Sequence, residues 1–419
     1  MPRRCLPRFA SLFAAFAVAA LACCGPAMLP APISNPQSPY YGRQMPPVPP
    51  APPSAKAPAG PAGPEKVALL LPLSGANAEL GQALLDAAQL ALFEAGGDRL
   101  TLLPRDTGGN AAGAASAARA AIGEGAHLIL GPLLAPEVEA VKPIARDAHL
   151  NVIAFSTVTN LAGGNVFLMG FLPRQEVVRE IGFARQRGLY RFAALVPNSP
   201  YGHLIADALH EAASASGGTV TKVEFFDPGA ADPAPAIQRL MSRGPAPEGG
   251  AAAAATASAP SFDTLLLPEG GTKLKQIARQ VRASVGDAKP VQLLGSGLWD
   301  IPDLGNEPAL VGGWFAASPP EARQDFEQRF TATYGHRPPR LSSLGYDAAA
   351  LAAVLAREQG NEPFSHEAIL NPSGFTGVDG LFRFTPSGLV QRGLAVLEVQ
   401  PQGAAVISPA PQSFQDLGY

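Results

Sequence analysis

The sequence predicts an α/β fold built as two lobes of similar construction. Short, continuously apolar runs alternate with longer amphipathic segments from residue 66 to residue 156, and the alternation begins a second time between residues 176 and 295. Continuous apolar strands between helices are typical of parallel sheets that helices cover on both faces. Roughly 350 residues follow position 65, which is more than a single compact core holds.

The first series of elements supplies one predicted sheet. Its predicted strands are 66–72, 100–104, 126–131 and 152–156, and its predicted helices are 78–95, 111–124 and 136–148. The helix 78–95 carries an apolar stripe, because residues three or four positions apart share one side of an α-helix. The stripe consists of Leu80, Leu84, Ala88 and Leu92.

The second series repeats this pattern and supplies the other predicted lobe. Its predicted strands are 192–196, 219–226, 264–267 and 291–295, and its predicted helices are 176–187, 202–214, 237–242 and 273–283. Residues 244–261 interrupt the series, and the stretch 249–260 within them is a run of mainly glycine and alanine that has no charge and no large apolar group. We expect this insert to be a disordered surface loop rather than a helix.

Residues 1–22 have the character of a targeting segment. Three arginines precede an apolar, uncharged run from residue 9 to residue 22. A run of about 14 residues is too short to span a bilayer as a helix and is typical of a secretory signal peptide. Small residues followed by cysteine are similar to the lipobox of bacterial lipoproteins, which implies lipidation of Cys23, preceded by a small residue, or of Cys24. The alternative is an ordinary secretory signal whose cysteines are incidental.

Residues 23–65 form a predicted tether between the lipid and the globular part. The stretch 26–64 contains 14 prolines in 39 residues and shows no periodic apolar face. Proline-rich chains favour extended polyproline II at about 3.1 Å per residue, so the tether reaches roughly 100 Å. The alternative is a ligand for a proline-recognition domain. No aspartate directly follows either cysteine, and the lipoprotein resemblance therefore implies the outer membrane of a Gram-negative bacterium.

Composition excludes several classes of function. All three cysteines lie within the first 24 residues, so we expect neither a disulfide nor thiolate chemistry in the globular part. Residues 1–22 contain three arginines and no acid, and the 28 basic and 34 acidic residues that follow give a net charge of −6. This balance argues against nucleic acid as a partner and against polybasic membrane attachment. No histidine stands in a metal-binding spacing and no GxSxG motif is present, so we expect a non-enzymatic protein without a metal or cofactor.

Six motifs, in order and suitably spaced, resemble those of type I periplasmic binding proteins of the leucine-binding-protein-like group. They are KVALLLPLSGANAELG at 66–81, LILGP at 128–132, NSPYG at 198–202, LLGSGLWD at 293–300, LGYDA at 344–348 and a segment at 374–392 that contains FTGVDG. The resemblance implies two Rossmann-like lobes joined by three crossing segments, which we place near Phe171, Gly312 and Gly393. The first lobe then comprises about 66–171 and 313–392, and the second about 172–312 and 393–419, within a domain spanning 66–419.

The resemblance also implies a ligand cleft between the lobes, at the carboxyl ends of the strands. The candidate ligand-binding residues are Ser74, Gly75, Leu134, Ser156, Thr157, Tyr201, Glu269 and Trp299. Several have a structural alternative, because Ser156 and Thr157 could only cap a strand end, Tyr201 could cap a helix, and Trp299 could belong to the core. We expect a small polar ligand at this site.

The sequence departs from the family where an amino acid would be held. Leu133 and Leu134 follow the GP of residues 131–132, where the family often has a serine, and Gly295-Ser296-Gly297 stands where an acid often meets the ammonium group. Gly270-Gly271 replaces a frequent aromatic residue. An unpaired buried ammonium is costly, so classical amino-acid capture is not expected unless Glu269 substitutes for the acid.

Residues 152–173 (VIAFSTVTNLAGGNVFLMGFLP) resemble a particular branch, the penicillin-binding protein activators. This resemblance implies an outer-membrane lipoprotein in the periplasm that regulates peptidoglycan synthesis by contacting a bifunctional peptidoglycan synthase. The helical-repeat domain that precedes this domain in the best-known activators is replaced here by the tether. The alternative function is a solute-binding protein of an ABC importer for branched-chain or related amino acids or amides.

Overall fold

The computed structural model describes residues 63–95, 98–242, 260–286, 291–357 and 362–415. The predicted signal peptide, both candidate lipidation sites and all but the end of the tether lie outside the described residues, as does nearly all of the insert 244–261. None of the described helices is long and apolar enough to cross a membrane.

The first lobe is organised around a five-stranded sheet in which all paired strands run parallel. Its strands, in the spatial order β2-β1-β3-β4-β5, are β1 (Glu65–Leu71), β2 (Leu100–Asp106), β3 (Leu128–Leu130), β4 (Asn151–Ala154) and β5 (Val166–Leu168). The helices between them are α1 (Ala78–Ala95), α2 (Ala111–Gly123) and α3 (Ala135–Asp147).

Strand β1 shows why the predicted sheet is covered on both faces. Its alternate residues Val67, Leu69 and Leu71 belong to one apolar cluster, whereas Ala68 and Leu70 belong to another, and all five are fully buried. Successive side chains of a strand point to opposite faces, so a strand buried twice must be apolar throughout.

The second lobe repeats this arrangement after the first crossing. It contains α4 (Pro173–Gln186), β6 (Arg191–Pro197), α5 (Pro200–Ala215), β7 (Thr219–Phe226), α6 (Ala234–Met241), β8 (Thr264–Leu266), α7 (Gly271–Val285), β9 (Gln292–Leu294) and β10 (Trp314–Ala317). In β6, Phe192 and Ala194 pack on the side of α4 and α5, while Ala193 and Leu195 pack on the side of α6 and α7.

The chain then returns to the first lobe. The elements there are α8 (Pro320–Tyr334), α9 (Ser342–Arg357), α10 (His366–Ile369) and a small antiparallel sheet of β11 (Phe375–Gly377), β12 (Gly380–Phe384) and β13 (Val390–Arg392). Leu344 and Leu351 of α9 join the core formed by α1 and β1, and Phe326 and Phe330 of α8 pack against α1. Finally, β14 (Ala395–Gln400) and β15 (Gly403–Ser408) complete the sheet of the second lobe, whose order is β15-β14-β10-β9-β8-β6-β7.

This topology confirms the predicted α/β fold of two lobes joined by three crossings. The chain passes between the lobes after β5, after β10 and between β13 and β14. The placement of the second crossing near Gly312 was wrong, and so was the assignment of 313–317 to the first lobe. Strand β10 pairs with β9 and β14 in the sheet of the second lobe, so the chain crosses only at Ser318 and Pro319. Gly312 and Gly313 precede a strand instead of ending the lobe.

Gly81 provides a test of how closely α1 packs on the first sheet. An alanine Cβ at this position would lie 2.1 Å from the carbonyl oxygen of Pro72, whereas a Cβ at Gly182 of α4 would have no atom within 4 Å. We expect Gly81→Ala to lower the free energy of unfolding by about 1–3 kcal/mol through overpacking. Gly182→Ala, the matched control, should raise it by roughly 0.5–1 kcal/mol because alanine is the better helix former. Urea denaturation measures both, and equal effects would contradict this account of the packing.

Candidate functional site

A cavity of about 650 Å³ lies between the lobes. The first lobe contributes the loops that follow β1, β3 and β4, and the second contributes the start of α4, the start of α5 and the turn after β9. Loops beyond the carboxyl ends of parallel strands form the usual ligand crevice of open α/β sheets. Most of the wall is apolar. Its polar residues are Asn77, Ser156, Thr157, Glu176, Tyr201, Asp300, Ser318 and Arg340.

Four of the residues proposed from the sequence line this cavity. They are Leu134, Ser156, Thr157 and Tyr201. Ser156 also caps its own loop, because its Oγ accepts the N–H of Val158 at 3.2 Å. The Tyr201 hydroxyl donates to Ser296 Oγ at 3.0 Å, and burial of this side chain, together with neighbouring carboxylates, raises its pKa.

Ser74 and Gly75 do not line the cavity, which corrects the prediction for this loop. The Asp106 carboxylate accepts the backbone N–H groups of Leu73 and Ser74 at 2.9 and 3.2 Å and holds the loop against β2. A hydrogen bond from the Ser74 side chain is the largest cause of the lowered pKa of Asp106. The polar groups of the loop are therefore used in its own structure.

Glu269 and Trp299 also lie outside the cavity wall. Glu269 Oε1 accepts the N–H of Gly270 at 3.0 Å, immediately before α7. Trp299 is fully buried in the core of the second lobe, where its Nε1 donates to the carbonyl oxygen of Leu267 at 3.1 Å. The core alternative for Trp299 is therefore the correct one.

Sequence reasoning missed five polar residues of the wall: Asn77, Glu176, Asp300, Ser318 and Arg340. Glu176 stands five residues after Phe171, so polar residues near a predicted crossing were the available signal. Ser318 was missed because the second crossing was placed six residues too early. The positions of Asp300 and Arg340 depend on contacts between the lobes, which no local pattern reveals.

Glu176 is a carboxylate held at the wall of the cavity. It is 9% exposed, and its Oε2 accepts the N–H of Gly297 at 2.7 Å. Burial raises the pKa of Glu176 to about 7, against the lowering effects of the Gly297 N–H and Arg340. Glu180, one turn further along α4, accepts the N–H of Ala316 at 2.8 Å through Oε1, and burial raises its pKa as well.

The start of α3, where a ligand carboxylate would find free N–H groups, already holds a carboxylate of the protein. Glu137 Oε2 accepts the N–H of Leu134 at 3.0 Å, and its Oε1 accepts the hydroxyl of Thr107 at 2.5 Å. Glu137 is fully buried. Because this carboxylate uses the favourable end of the helix dipole, the site does not offer it to a ligand.

An ion-pair cluster joins the two lobes beside the cavity. Asp300 of the second lobe accepts Nε of Arg340 at 3.1 Å and also pairs with Arg323, and both arginines belong to the first lobe. Arg340 Nη2 lies 2.8 Å from Asp379 Oδ1, and the guanidinium lies 4.3 Å from the ring centroid of Phe171. The Asp300 side chain is 8% exposed and that of Arg340 is 28% exposed, so solvent screens these pairs only in part.

Removing the charge of Asp300 tests whether this cluster holds the lobes together. Asp300→Asn withdraws the anion that two arginines of the other lobe share, and we expect it to weaken lobe closure by ~1.5–3 kcal/mol. Small-angle X-ray scattering should then give a larger radius of gyration than for the unchanged protein. Asp303→Asn, on an exposed residue of the same loop, is the control and should leave the radius unchanged. An unchanged radius for Asp300→Asn would contradict the role of the cluster.

The described residues contain no group of three histidine, cysteine, aspartate or glutamate side chains that could hold a metal ion. The polar groups that the cavity wall offers are its hydroxyls, the amide of Asn77 and the ionisable side chains of Glu176, Asp300 and Arg340.

Comparisons with known proteins agree with this architecture. Residues 64–404 match a family model described as periplasmic binding protein. The ABC transporter substrate-binding protein from Sphaerobacter thermophilus is 23% identical, with a TM-score of 0.65, over 83% of this chain and 97% of that one. A solute-binding protein of an ABC transporter from R. palustris, in complex with benzoate, is 20% identical, with a TM-score of 0.58, over 83% and 98% of the two chains.

A third similar structure is the branched-chain amino acid transporter substrate-binding protein LivJ from Streptococcus pneumoniae, in complex with isoleucine. It is 18% identical, with a TM-score of 0.58, over 83% of this chain and 100% of that one. No curated protein matches the chain. The family model covers most of the sequence, and the solved structures share the fold. The chain therefore belongs to the periplasmic binding protein family and has its two-lobe type I fold.

Proposed function

We propose that this protein binds a small, largely apolar solute between its lobes. The observation that carries this proposal is the cavity of about 650 Å³ with walls from both lobes. A cavity of this size, mostly apolar with a few convergent polar groups, is typical of sites for small molecules. Binding there would remove apolar surface of the solute from water, at about 25 cal/mol per Å².

The relatives support a solute with an apolar body. One similar structure holds benzoate and another holds isoleucine, each of which combines an apolar part with a carboxylate. The apolar wall around Leu134, Phe155 and Leu344 suits the apolar part of such a molecule. In this proposal the protein receives the solute in the periplasm and delivers it to an ABC importer for amino acids, amides or related compounds.

Solute binding and lobe closure are coupled because the solute touches both lobes. A ligand shifts a conformational equilibrium only by its difference in affinity for the two states. When the lobes part, Leu134 of the first lobe and Tyr201 of the second no longer enclose one volume, so the open form has the lower affinity. The crossings act as the hinge.

A second candidate function, activation of a peptidoglycan synthase, is favoured by residues 152–173 and by the N-terminal region. Phe155, Ser156, Thr157 and Phe171 of that segment line the cavity. In this candidate, lipid on Cys23 or Cys24 holds the protein at the outer membrane, and the proline-rich tether of roughly 100 Å lets the domain reach a synthase in the inner membrane. The solute in the cavity would then regulate contact with the synthase.

Narrowing the mouth of the cavity tests the solute-binding proposal. Leu298 is a cavity residue with 47% exposure, and Val354 on α9 is equally exposed away from the cavity. We expect small apolar solutes to raise the unfolding temperature of the unchanged protein, since a ligand at 100 times its Kd adds about 2.7 kcal/mol. Leu298→Trp should weaken binding at least tenfold in calorimetry, whereas Val354→Trp should not. Equal affinities for both variants would place the binding elsewhere.

Reconstitution tests the second candidate. Full-length protein added to a bifunctional peptidoglycan synthase should increase the rate of glycan-strand polymerisation, measured with labelled lipid-linked precursor. A monofunctional synthase serves as the control and should keep its rate. An unchanged rate for the bifunctional enzyme would exclude direct activation and leave solute delivery as the function.

A further inference from the structure

The polar part of the cavity wall points to the chemical class of the solute. This inference rests on the proposed binding function and goes beyond it. We propose that the solute is a small apolar primary amine without a carboxylate, whose ammonium group binds between Glu176 of α4 and Ser318 at the second crossing. The similar structures with benzoate and isoleucine hold carboxylates, so this proposal separates the chain from them.

Glu176 and Ser318 both line the cavity, and the contacts around them indicate that they are neighbours at the junction of the lobes. Glu180 accepts the N–H of Ala316, which fixes α4 against β10 at that level. Glu176 is one helical turn before Glu180, a rise of about 6 Å, and Ser318 is two residues beyond Ala316, about 6.6 Å along a strand. A crossover helix runs opposite to the strands it covers, so both steps lead in the same direction, into the cavity. Both residues line it.

Ser318 lines the cavity and has a buried hydroxyl without a partner in the described part of the chain. The residue is 2% exposed. A buried polar group without a partner is unfavourable, so most such groups in folded proteins are paired. A donor on a bound molecule would supply the missing partner.

Glu176 also lines the cavity, and only one of its two carboxylate oxygens is used in a hydrogen bond with the described residues. Its Oε2 is bonded to the Gly297 N–H, and its Oε1 accepts no hydrogen bond from the residues that the structure describes. The carboxylate occupies the space where a side chain at position 297 would begin, since a Cβ there would lie 2.6 Å from Oε1. Glycine at 297 therefore makes room for an acid at the wall.

A ligand carboxylate finds no free counter-charge in the cavity wall. Arg340 is the one cation among the described lining residues, and its three guanidinium nitrogens already contact Asp300, Ser343 and Asp379. The other two charged lining residues are acids, Glu176 and Asp300. Because Glu137 already caps α3, the start of that helix does not favour a second carboxylate. An ammonium group could donate hydrogen bonds to the carboxylate of Glu176 and to the hydroxyl of Ser318.

The proposal also predicts how binding depends on pH. The charged and titratable groups that face Glu176 are Glu180, Asp300, Tyr201 and Arg340. With a pKa of about 7, Glu176 in the empty site must lose a proton to bind an ammonium group at lower pH. Affinity for the amine should therefore fall about tenfold from pH 8 to pH 6, by proton linkage. Glu176→Gln should abolish this dependence.

Calorimetry of the full-length protein with four matched probes tests the proposal. The probes are 3-methylbutylamine, 4-methylpentanoate, leucine and the neutral 3-methylbutanol, which share a branched apolar body. We expect the amine to bind at least tenfold more tightly than the carboxylate or leucine. Glu176→Gln should lose at least tenfold in affinity for the amine, and Ser318→Ala severalfold. Glu269→Gln, an equivalent change outside the cavity, should bind as the unchanged protein does.

The possible outcomes distinguish a failure of the amine proposal from a failure of the proposed solute-binding function. Equal or tighter binding of 4-methylpentanoate or leucine would overturn the amine proposal and leave solute binding intact. Unchanged amine affinity in a folded Glu176→Gln variant, judged by its near-ultraviolet circular dichroism, would overturn it too. If no probe binds, the neutral alcohol included, both the amine proposal and the binding function are contradicted.

Discussion

The arrangement of the lobes depends on the ion-pair cluster beside Phe171, in which Asp300 of the second lobe pairs with Arg323 and Arg340 of the first. Arg340 and Arg392 stack on this ring at 4.3 and 4.9 Å from its centroid, and Arg392 Nη2 donates to the carbonyl oxygen of Met169 at 2.7 Å. Asp379, fully buried, faces both arginines. Burial alone would raise the pKa of Asp379, but the two guanidinium groups prevail and lower it, so the carboxylate stays ionised. The cluster thus joins the first crossing, the third crossing and α9 in one electrostatic unit.

This cluster explains why the cavity is apolar although charges surround it. The guanidinium nitrogens of Arg340 contact Asp300, Ser343 and Asp379. Its charge is therefore paired within the protein and stabilises the cavity wall. Charges taken from water are tolerated when they are paired and hydrogen-bonded. What remains facing the cavity is the apolar surface of both lobes and the polar groups of Asn77, Ser156, Thr157, Glu176, Tyr201 and Ser318. Under the proposed function, such a wall selects a solute first by its shape and apolar area and then by its polar group.

The sequence predicted most of the fold because the signals that define parallel sheets are local. The apolar run of β1 and the stripe of α1 can be recognised without knowledge of their neighbours. Strand β10 was not recognised in this way, because the two glycines before it indicated a crossing between the lobes. Local sequence patterns are limited in the same way for the residues of the site. Leu134 and Tyr201 follow strands directly and were found, whereas Arg340 reaches the cavity through its ion pairs with distant residues. Trp299 follows a strand too, but glycines at 295 and 313 let its ring turn into the core.

The ion-pair cluster and the cavity together determine how strongly a bound solute can change the closure of the lobes. Asp300 bonds the lobes to each other through side chains of the protein, so part of the interaction between the lobes does not involve a solute. A solute adds to this interaction by touching both walls, and its effect on closure equals its preference for the closed form. Under either proposed function, a partner protein would respond to the relative position of the lobes, because the lobes enclose the solute. The ion pairs of Asp300 therefore contribute to the equilibrium between the open and closed lobes in the absence of a solute. Contacts of a solute with the apolar cavity determine how far that equilibrium moves towards the closed form.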